Sequence, residues 1–401
     1  MSITRVRATS PGTAQGLTVI AAGFLPILAI VSLFPAIPSI IAHFSAVPNA
    51  QIKVPSAVSA PGLTIALLAF AAGITVDRFG RRRLLLIATG FYGLLGAAPF
   101  FLDNLDAIYA SRLLLGVSEA AVLTTLNTLI ADYWDEQGRR NWLTLQGMAG
   151  PFAASGVIFL SGYVTSLRWN ASFLIYLVAV PIFIAVWLFL YEPEPVVRTA
   201  SRTAPDAPFP WSGVLTFAPV TLVASALCYV FIINGASAWQ EAGVQSAADI
   251  GRLSAVPSLF TVVGSGVYWI LGKQSPRLRL TVFLALLGVG LGMIGFAHDW
   301  RGMIAGMVVQ QTGVGMAIPT LIVWAQSYLP FEHRGRGMGV WTACFFFGQF
   351  VSPILIGGVR LHAGSMQGAF VAAGAFGLAT AFVVNLALAG RRASPPSLSE
   401  V

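Results

Sequence analysis

From Ala8 to Ala42 the chain carries no charged side chain, and uncharged runs of similar kind recur to its end, parted by short clusters of arginine. A fold in water could not use such runs. Soluble domains are near a quarter charged, whereas only 9% of these 401 residues are charged and 56% are hydrophobic. The same surplus of apolar surface excludes intrinsic disorder. Two cysteines, Cys228 and Cys344, lie far apart inside apolar runs and exclude a disulfide scaffold. A net charge of +8 could suggest nucleic acid, but the basic residues are divided among the gaps between runs rather than pooled on one face, so no nucleic-acid partner is expected. The partner this pattern demands is a lipid bilayer.

A hydrocarbon core of ~30 Å takes about 20 apolar residues per helix. Runs of that size lie near residues 16–42, 54–76, 84–102, 107–131, 142–166 and 171–190, then 212–235, 250–271, 280–297, 302–327, 338–359 and 367–390. None shows the ~10-residue alternation of a membrane barrel. The expectation is an all-α membrane protein with twelve transmembrane helices in two sets of six. The first run exceeds the short apolar core of a signal peptide and reads as a retained span. Between the sets, residues 191–211 hold five prolines, three acidic residues and two arginines, and read as a tether. That divides the chain into an N-terminal bundle, 1–190, and a C-terminal bundle, 212–401. Of 23 lysines and arginines, seventeen fall on the side of the two termini, Arg5, Arg7, Arg139 and Arg140 among them. Five (Lys53, Arg168, Arg252, Arg301, Arg360) fall on the other, and Arg112 lies within a span. This imbalance predicts cytoplasmic termini and tether in an inner or plasma membrane. The halves also echo each other: a shift of about 194 residues lays "ADYWDEQGRR" from Ala131 over "AQSYLPFEHRGRG" from Ala325. A parallel repeat of six plus six helices is the plan of a secondary transporter, with a small-molecule substrate held between the halves.

The most specific segment is "GITVDRFGRRR", Gly73 to Arg83, between the second and third spans. Gly73 allows close helix packing and Gly80 a tight turn, while Asp77 can face the positive end of a neighbouring helix. A basic loop alone would account for the arginines but not for the aspartate and glycines at this spacing. With this motif the sequence resembles the major facilitator superfamily over essentially its whole length. A second family motif appears as Arg112 and Gly116 in "IYASRLLLGVSEAA". The glycine-proline motif of helix five in proton-driven antiporters is partial: "GMAGPFAASG" keeps Gly147, Gly150, Pro151 and Gly156 but has Ala154 and Ser155 where glycines are usual. The resemblance implies the major facilitator fold of two pseudo-symmetric six-helix bundles, and a latch made of Gly73, Asp77, Arg78, Gly80, Arg81 and Arg82. Asp77 would sit against the start of helix eleven, and Arg81 would pair with Asp132. The second half has no equivalent, because "GKQSPRLRL" lacks the aspartate.

Charges inside a membrane are costly and therefore functional suspects. Arg112 and Glu119 lie seven residues apart on helix four, on one face and ~10 Å apart along the axis. Burial and a neighbouring cation act in opposite senses on a carboxyl's proton affinity, which makes Glu119, with Arg112, the candidate proton-coupling pair. The bland alternative is that Glu119 neutralises Arg112 or bonds a neighbouring helix. Many family members that expel drugs carry an acidic residue in helix one, and this helix one has none. Helices one, four, seven and ten line the cavity in the family, which implies Thr124, Asn127, Tyr229, Asn234, Gln310, Gln311 and Trp324 as substrate contacts and Arg112 as the one cation of an apolar, aromatic cavity.

"GLGMIG", Gly290 to Gly295, matches a dinucleotide fingerprint, but inside a span it reads as helix packing. The sequon at Asn170 lies at the edge of the span near residues 171–190. The four histidines lack the spacing of a metal site, no Ser/His/Asp arrangement suggests catalysis, and no cofactor is expected. The leading expectation is proton-coupled export of an amphipathic organic compound by a monomeric antiporter working by alternating access. Proton-coupled uptake of an organic acid or other nutrient is the alternative, and a receptor or lipid-handling protein on the same fold is the rival of another class.

Overall fold

The computed structural model describes residues 11–69, 80–193 and 208–389, apart from the side chain of Phe331. In hydrocarbon an apolar run must satisfy its own backbone amides, and a helix does so within the segment. Among the described residues there are twelve long helices and no strand. In order they are α1 Thr13–His43, α2 Ala50–Leu68, α3 Arg81–Phe101, α4 Leu105–Tyr133, α5 Glu136–Leu167, α6 Ala171–Phe189, α7 Trp211–Glu241, α8 Ala247–Lys273, α9 Pro276–Gly295, α10 Trp300–Gln326, α11 Arg334–Ala363 and α12 Met366–Ala389. Eleven are long and apolar enough to cross a membrane. The exception is α2, which carries Gln51, Lys53 and two internal prolines, Pro55 and Pro61. Its residues 54–62 are all buried between other helices, so it faces protein rather than lipid and tolerates more polar composition. The helices also run past the apolar windows. In α5 the Asp135 carboxylate accepts from Gly138 N at 2.8 Å and starts the helix at Glu136, in a stretch too charged to read as a span.

α1–α6 and α7–α12 build two hydrophobic cores, each from its own half of the chain with a few crossing residues such as Phe34, Ile158 and Ile233. Pairings repeat with a shift of six helices: α3 packs on α6 as α9 packs on α12, and α2 on α4 as α8 on α10. Two seams join the halves, α2 against α11 and α5 against α8, and the same shift turns one into the other. Both depend on backbones coming close. A Cβ on Gly162 of α5 would lie 2.6 Å from Ala247 O and 2.8 Å from Gly251 Cα of α8. Ser155 Oγ donates to Ala255 O at 2.7 Å across the same seam. In the other, Gly357 packs on Ile52, and Ser59 Oγ donates to Phe350 O at 3.2 Å. These contacts lie away from the end where α6 finishes and α7 begins, called here the linker end.

Helix α1 is not one continuous helix. It runs Thr13–Gly23, Leu25–Val31, a 3-10 turn Phe34–Ala36, and Ile37–His43, with Pro26, Pro35 and Pro38 in the later pieces. Proline removes a donor and breaks the ladder. At the break, Leu33 N donates to Ile30 O rather than to Ala29 O, so the Ala29 carbonyl is free of its helical partner.

Candidate substrate cavity and buried charges

Toward the linker end α5 and α8 separate, and a cavity of about 540 Å³ lies between the halves. Its wall comes from α1 (Phe24, Ile27, Val31, Phe34), α4 (Asn127), α5 (Gln146, Gly147, Gly150, Pro151, Ala154), α7 (Phe231, Ile232), α8 (Ser254, Ser258, Thr261, Ser265) and α10 (Met307, Gln311, Ile318). Phe34 and Phe231, ring centroids 5.5 Å apart, join the halves at its far end. The seams seal the protein beyond. Among the described residues no charged side chain lines this cavity. Its polar groups are amides and hydroxyls, which suit a cargo with an apolar body and a few hydrogen-bonding groups.

Of the seven expected substrate contacts, Asn127 and Gln311 line the cavity and five do not. Thr124 Oγ1 donates to Ala120 O at 2.9 Å within its own helix, and Asn234, 1% exposed, donates to Val230 O at 3.1 Å. Gln310 is fully buried and donates to Cys228 O at 3.3 Å. Tyr229 packs edge-on to Phe345, and Trp324, buried, edge-on to Tyr328. Thr124 and Asn234 thus bond within their own helices, while Gln310 and Tyr229 tie α7 to α10 and α11. The wall positions on α8 were missed, although Ser254, Ser258, Thr261 and Ser265 stand at alternating spacings of four and three, a single helical stripe in an otherwise apolar run. The partial motif of helix five was singled out, and its Gly147, Gly150 and Pro151 prove to be wall.

Arg112 is not the cation of this cavity. It is 1% exposed and lies behind the wall, its guanidinium donating to Tyr176 Oη at 2.6 Å and to Ala29 O at 2.8 Å. Tyr176 Oη donates to the same carbonyl, and Tyr92 Oη donates to Leu25 O at 2.6 Å. The carbonyl released by the break in α1 therefore becomes the acceptor that binds α4 and α6 to α1. Glu119 is also 1% exposed and is the one buried carboxylate among the described residues. It makes no ion pair with Arg112, and its Oε1 has no hydrogen-bond partner. Neither residue touches the cavity. At Gly116, between the two, α2 closes in on α4: a Cβ there would lie 2.6 Å from Pro61 O, and Thr64 Oγ1 donates to Leu113 O at 2.9 Å.

At the linker end, Gly73, Asp77 and Arg78 lie outside the described residues. Gly80 begins α3 with φ +78°, a conformation that favours glycine. Arg81 Nε stands 3.1 Å from Asp132 Oδ2, and the Arg82 guanidinium donates to Trp187 O at 2.7 Å. The Glu192 carboxylate, just past α6, accepts from the backbone N–H groups of Arg81 and Arg82 at 2.6 and 2.9 Å, where a helix start favours an anion. Sequence reading placed Glu192 in the tether and missed this role. The sequon residue Asn170 is 2% exposed and donates to Phe100 O at 2.8 Å.

Two repeated six-helix halves around an uncharged cavity, sealed at one end, define a multi-pass membrane transporter. The family model of the Major Facilitator Superfamily matches residues 19–277 and 241–400, and the chain belongs to that superfamily. Among its relatives, the multidrug efflux pump LfrA of Mycolicibacterium smegmatis is 27% identical over 287 residues, covering 65% of this chain. The chain spans only 55% of that pump's length. The gallate transporter of Pseudomonas putida is 25% identical over 345 residues, 76% of each chain. The 3-(3-hydroxy-phenyl)propionate transporter of Escherichia coli is 26% identical over 345 residues, 81% of each. In fold, the chain is similar to the nucleoside transporter NupG, with TM-score 0.71 at 12% identity over 94% of this chain and 99% of that one. A POT family transporter in complex with a thioalcohol conjugated peptide gives TM-score 0.73 at 13% identity, covering 94% of this chain and 96% of that one.

Proposed function

We propose that the protein exports small amphipathic organic compounds from the cytoplasm in exchange for protons, as a monomer in the cytoplasmic membrane with both termini inside. Residues 1–190 and 212–401 would rock against each other about the 191–211 connection. In this orientation the linker end faces the cytoplasm, and the form described is open inward. The observation that carries the reading is the cavity wall, apolar with amide and hydroxyl groups and, among the described residues, without a charged side chain. A fully charged cargo would lose its hydration there and gain no counter-ion. Glu119 serves as the proton carrier, because a buried carboxylate oxygen without a donor leaves the proton itself to be its partner. Arg112 fixes the helices around it. The segment from Gly73 to Arg82, with Asp132, acts as the latch that favours the outward-open form through Asp77; the Arg81–Asp132 contact, made within one half and present in the inward-open form, would anchor the segment to α4.

Proton-coupled uptake of an aromatic acid is the second reading, favoured by the names of the gallate and 3-(3-hydroxy-phenyl)propionate transporters. Proteoliposomes separate the two. A panel of neutral amphipathic aromatics and of benzoate-type acids is supplied under an imposed pH gradient. Export predicts that neutral compounds move uphill against the direction of proton flow, and uptake predicts that acids move with it. Glu119→Gln should abolish gradient-driven accumulation yet preserve cargo exchange. A Glu119→Gln protein that still concentrates cargo with a pH difference removes Glu119 from the mechanism.

A further inference from the structure

The close contacts between α5 and α8, Gly162 with Gly251 and Ser155 with Ala255, lie toward the sealed end, and contacts with the later part of α8, Phe260–Ile270, are few. Nearer the linker end both helices instead contribute wall to one cavity, Gly147 and Gly150 from α5, Ser258 and Ser265 from α8. The space there is open, since nothing lies within 4 Å of a Cβ added at Gly147 or at Gly266. The outer flanks of the gap are lipid-type surface: Met148 and Phe152 are each 62% exposed on α5, and Val262 and Val263 are exposed on α8. Between Arg140 and Arg168 the chain along α5 has no charged residue, and α8 has none between Arg252 and Lys273. Along these helices the gap is thus uncharged, and the first charges met toward the linker end, Arg140 on α5 and Lys273 on α8, mark headgroup level.

We infer that this gap is a side portal, through which amphipathic molecules dissolved in the linker-end leaflet slide into the cavity without first crossing water. The inference rests on the reading of an amphipathic cargo and narrows it to compounds that partition into the membrane and present an apolar chain or ring to the gap. A cavity wall and a gap without charged side chains among the described residues offer such a molecule a largely apolar path; Ser258 Oγ donates to Ala255 O and Ser265 Oγ to Thr261 O and Gly315 O, so these hydroxyls meet a cargo as acceptors. A cargo confined to water would gain nothing from a flank open to hydrocarbon.

The test needs no transport. Protein in nanodiscs containing phosphatidylcholine with a diazirine in its acyl chain is irradiated, and adducts are mapped by peptide sequencing. The expected result is labelling at Ile27 and Ile318, which face the cavity, as well as at Phe159 on the outer surface. Gly147→Trp with Gly266→Trp should reduce the cavity adducts about tenfold and leave Phe159 labelled, with melting temperature unchanged because both sites have room. Wild-type labelling confined to Phe159, or cavity labelling undiminished in a stably folded double variant, overturns the portal. The wild-type result stands even if the double variant does not fold. Because the probe is a lipid and the readout is position, failure of Glu119 as proton carrier would leave the result unaffected.

Discussion

Replacing Gly162 by valine probes the seam between α5 and α8 directly. A Cβ at this position falls 2.6 Å from Ala247 O and 2.8 Å from Gly251 Cα, both backbone atoms of the opposing helix. Neither can rotate aside, so the helices must move apart or the side chain must be squeezed. Overpacking of this kind costs ~1–3 kcal/mol. The cost falls only on the form in which the seam is closed, so the two-state balance should tilt by roughly 5- to 150-fold toward the form open at that end. Gly156, one and a half turns away on α5, is the control, because nothing lies within 4 Å of its added Cβ. With Cys228 and Cys344 replaced, a reporter cysteine at Ser59, fully buried in the α2–α11 seam, measures opening. A membrane-impermeant maleimide should label it several-fold faster in Gly162→Val than in the parent, and at the parent rate in Gly156→Val. Parent-like labelling in a folded Gly162→Val protein, or equal acceleration in both, would refute the seam as the element that holds this form.

Arg112→Ala removes two charge-assisted hydrogen bonds and should cost ~3–6 kcal/mol, against roughly 1–3 kcal/mol for Tyr176→Phe, which removes one hydroxyl; denaturation in detergent should rank them in that order, and the reverse would mean the Arg112 contacts are incidental. Gln311→Leu and Asn127→Leu should each raise the KM for cargo about two- to tenfold, the worth of one neutral hydrogen bond, with little change in melting temperature. Gln310→Leu should do the opposite, lowering stability and sparing KM, since its amide serves Cys228 O.

Much of the architecture was legible because the bilayer makes one demand of every span. Charge-free windows found most helices to within a few residues, though α5 begins at Glu136 and α7 ends at Glu241, beyond their windows, and the window 54–76 ends outside the described residues; the echo between Ala131 and Ala325 announced the repeat. Composition did not announce that α2, with Gln51, Lys53 and two internal prolines, is the helix whose residues 54–62 are all buried among the others. The site was harder to read. A glutamine that bonds its neighbour and a glutamine that faces a cavity are adjacent letters here, Gln310 and Gln311, and only the 100° turn between them decides which is which. Arg112 was drawn toward the cavity by its charge. Its true acceptor, the Ala29 carbonyl, is a backbone atom freed by a break three to six residues further along, and no side-chain pattern announces it. The Ser254–Ser265 stripe carries a readable helical period, but small hydroxyls in a membrane helix as readily bond their own backbone, as Ser258 does to Ala255 O, so the period alone does not mark a cavity wall.

Glu119 and Asn127 share α4, eight residues or ~12 Å apart along its axis, yet only Asn127 reaches the cavity. In a proton-driven carrier built this way, ion and cargo never meet, and neither can expel the other by occupying its place. Each can ride alone. What ties them is the rocking of the whole half, so exchange would slip whenever one occupant moves the bundle unaccompanied. The number of protons spent per molecule carried would then be a ratio that drifts with cargo and gradient rather than a fixed integer.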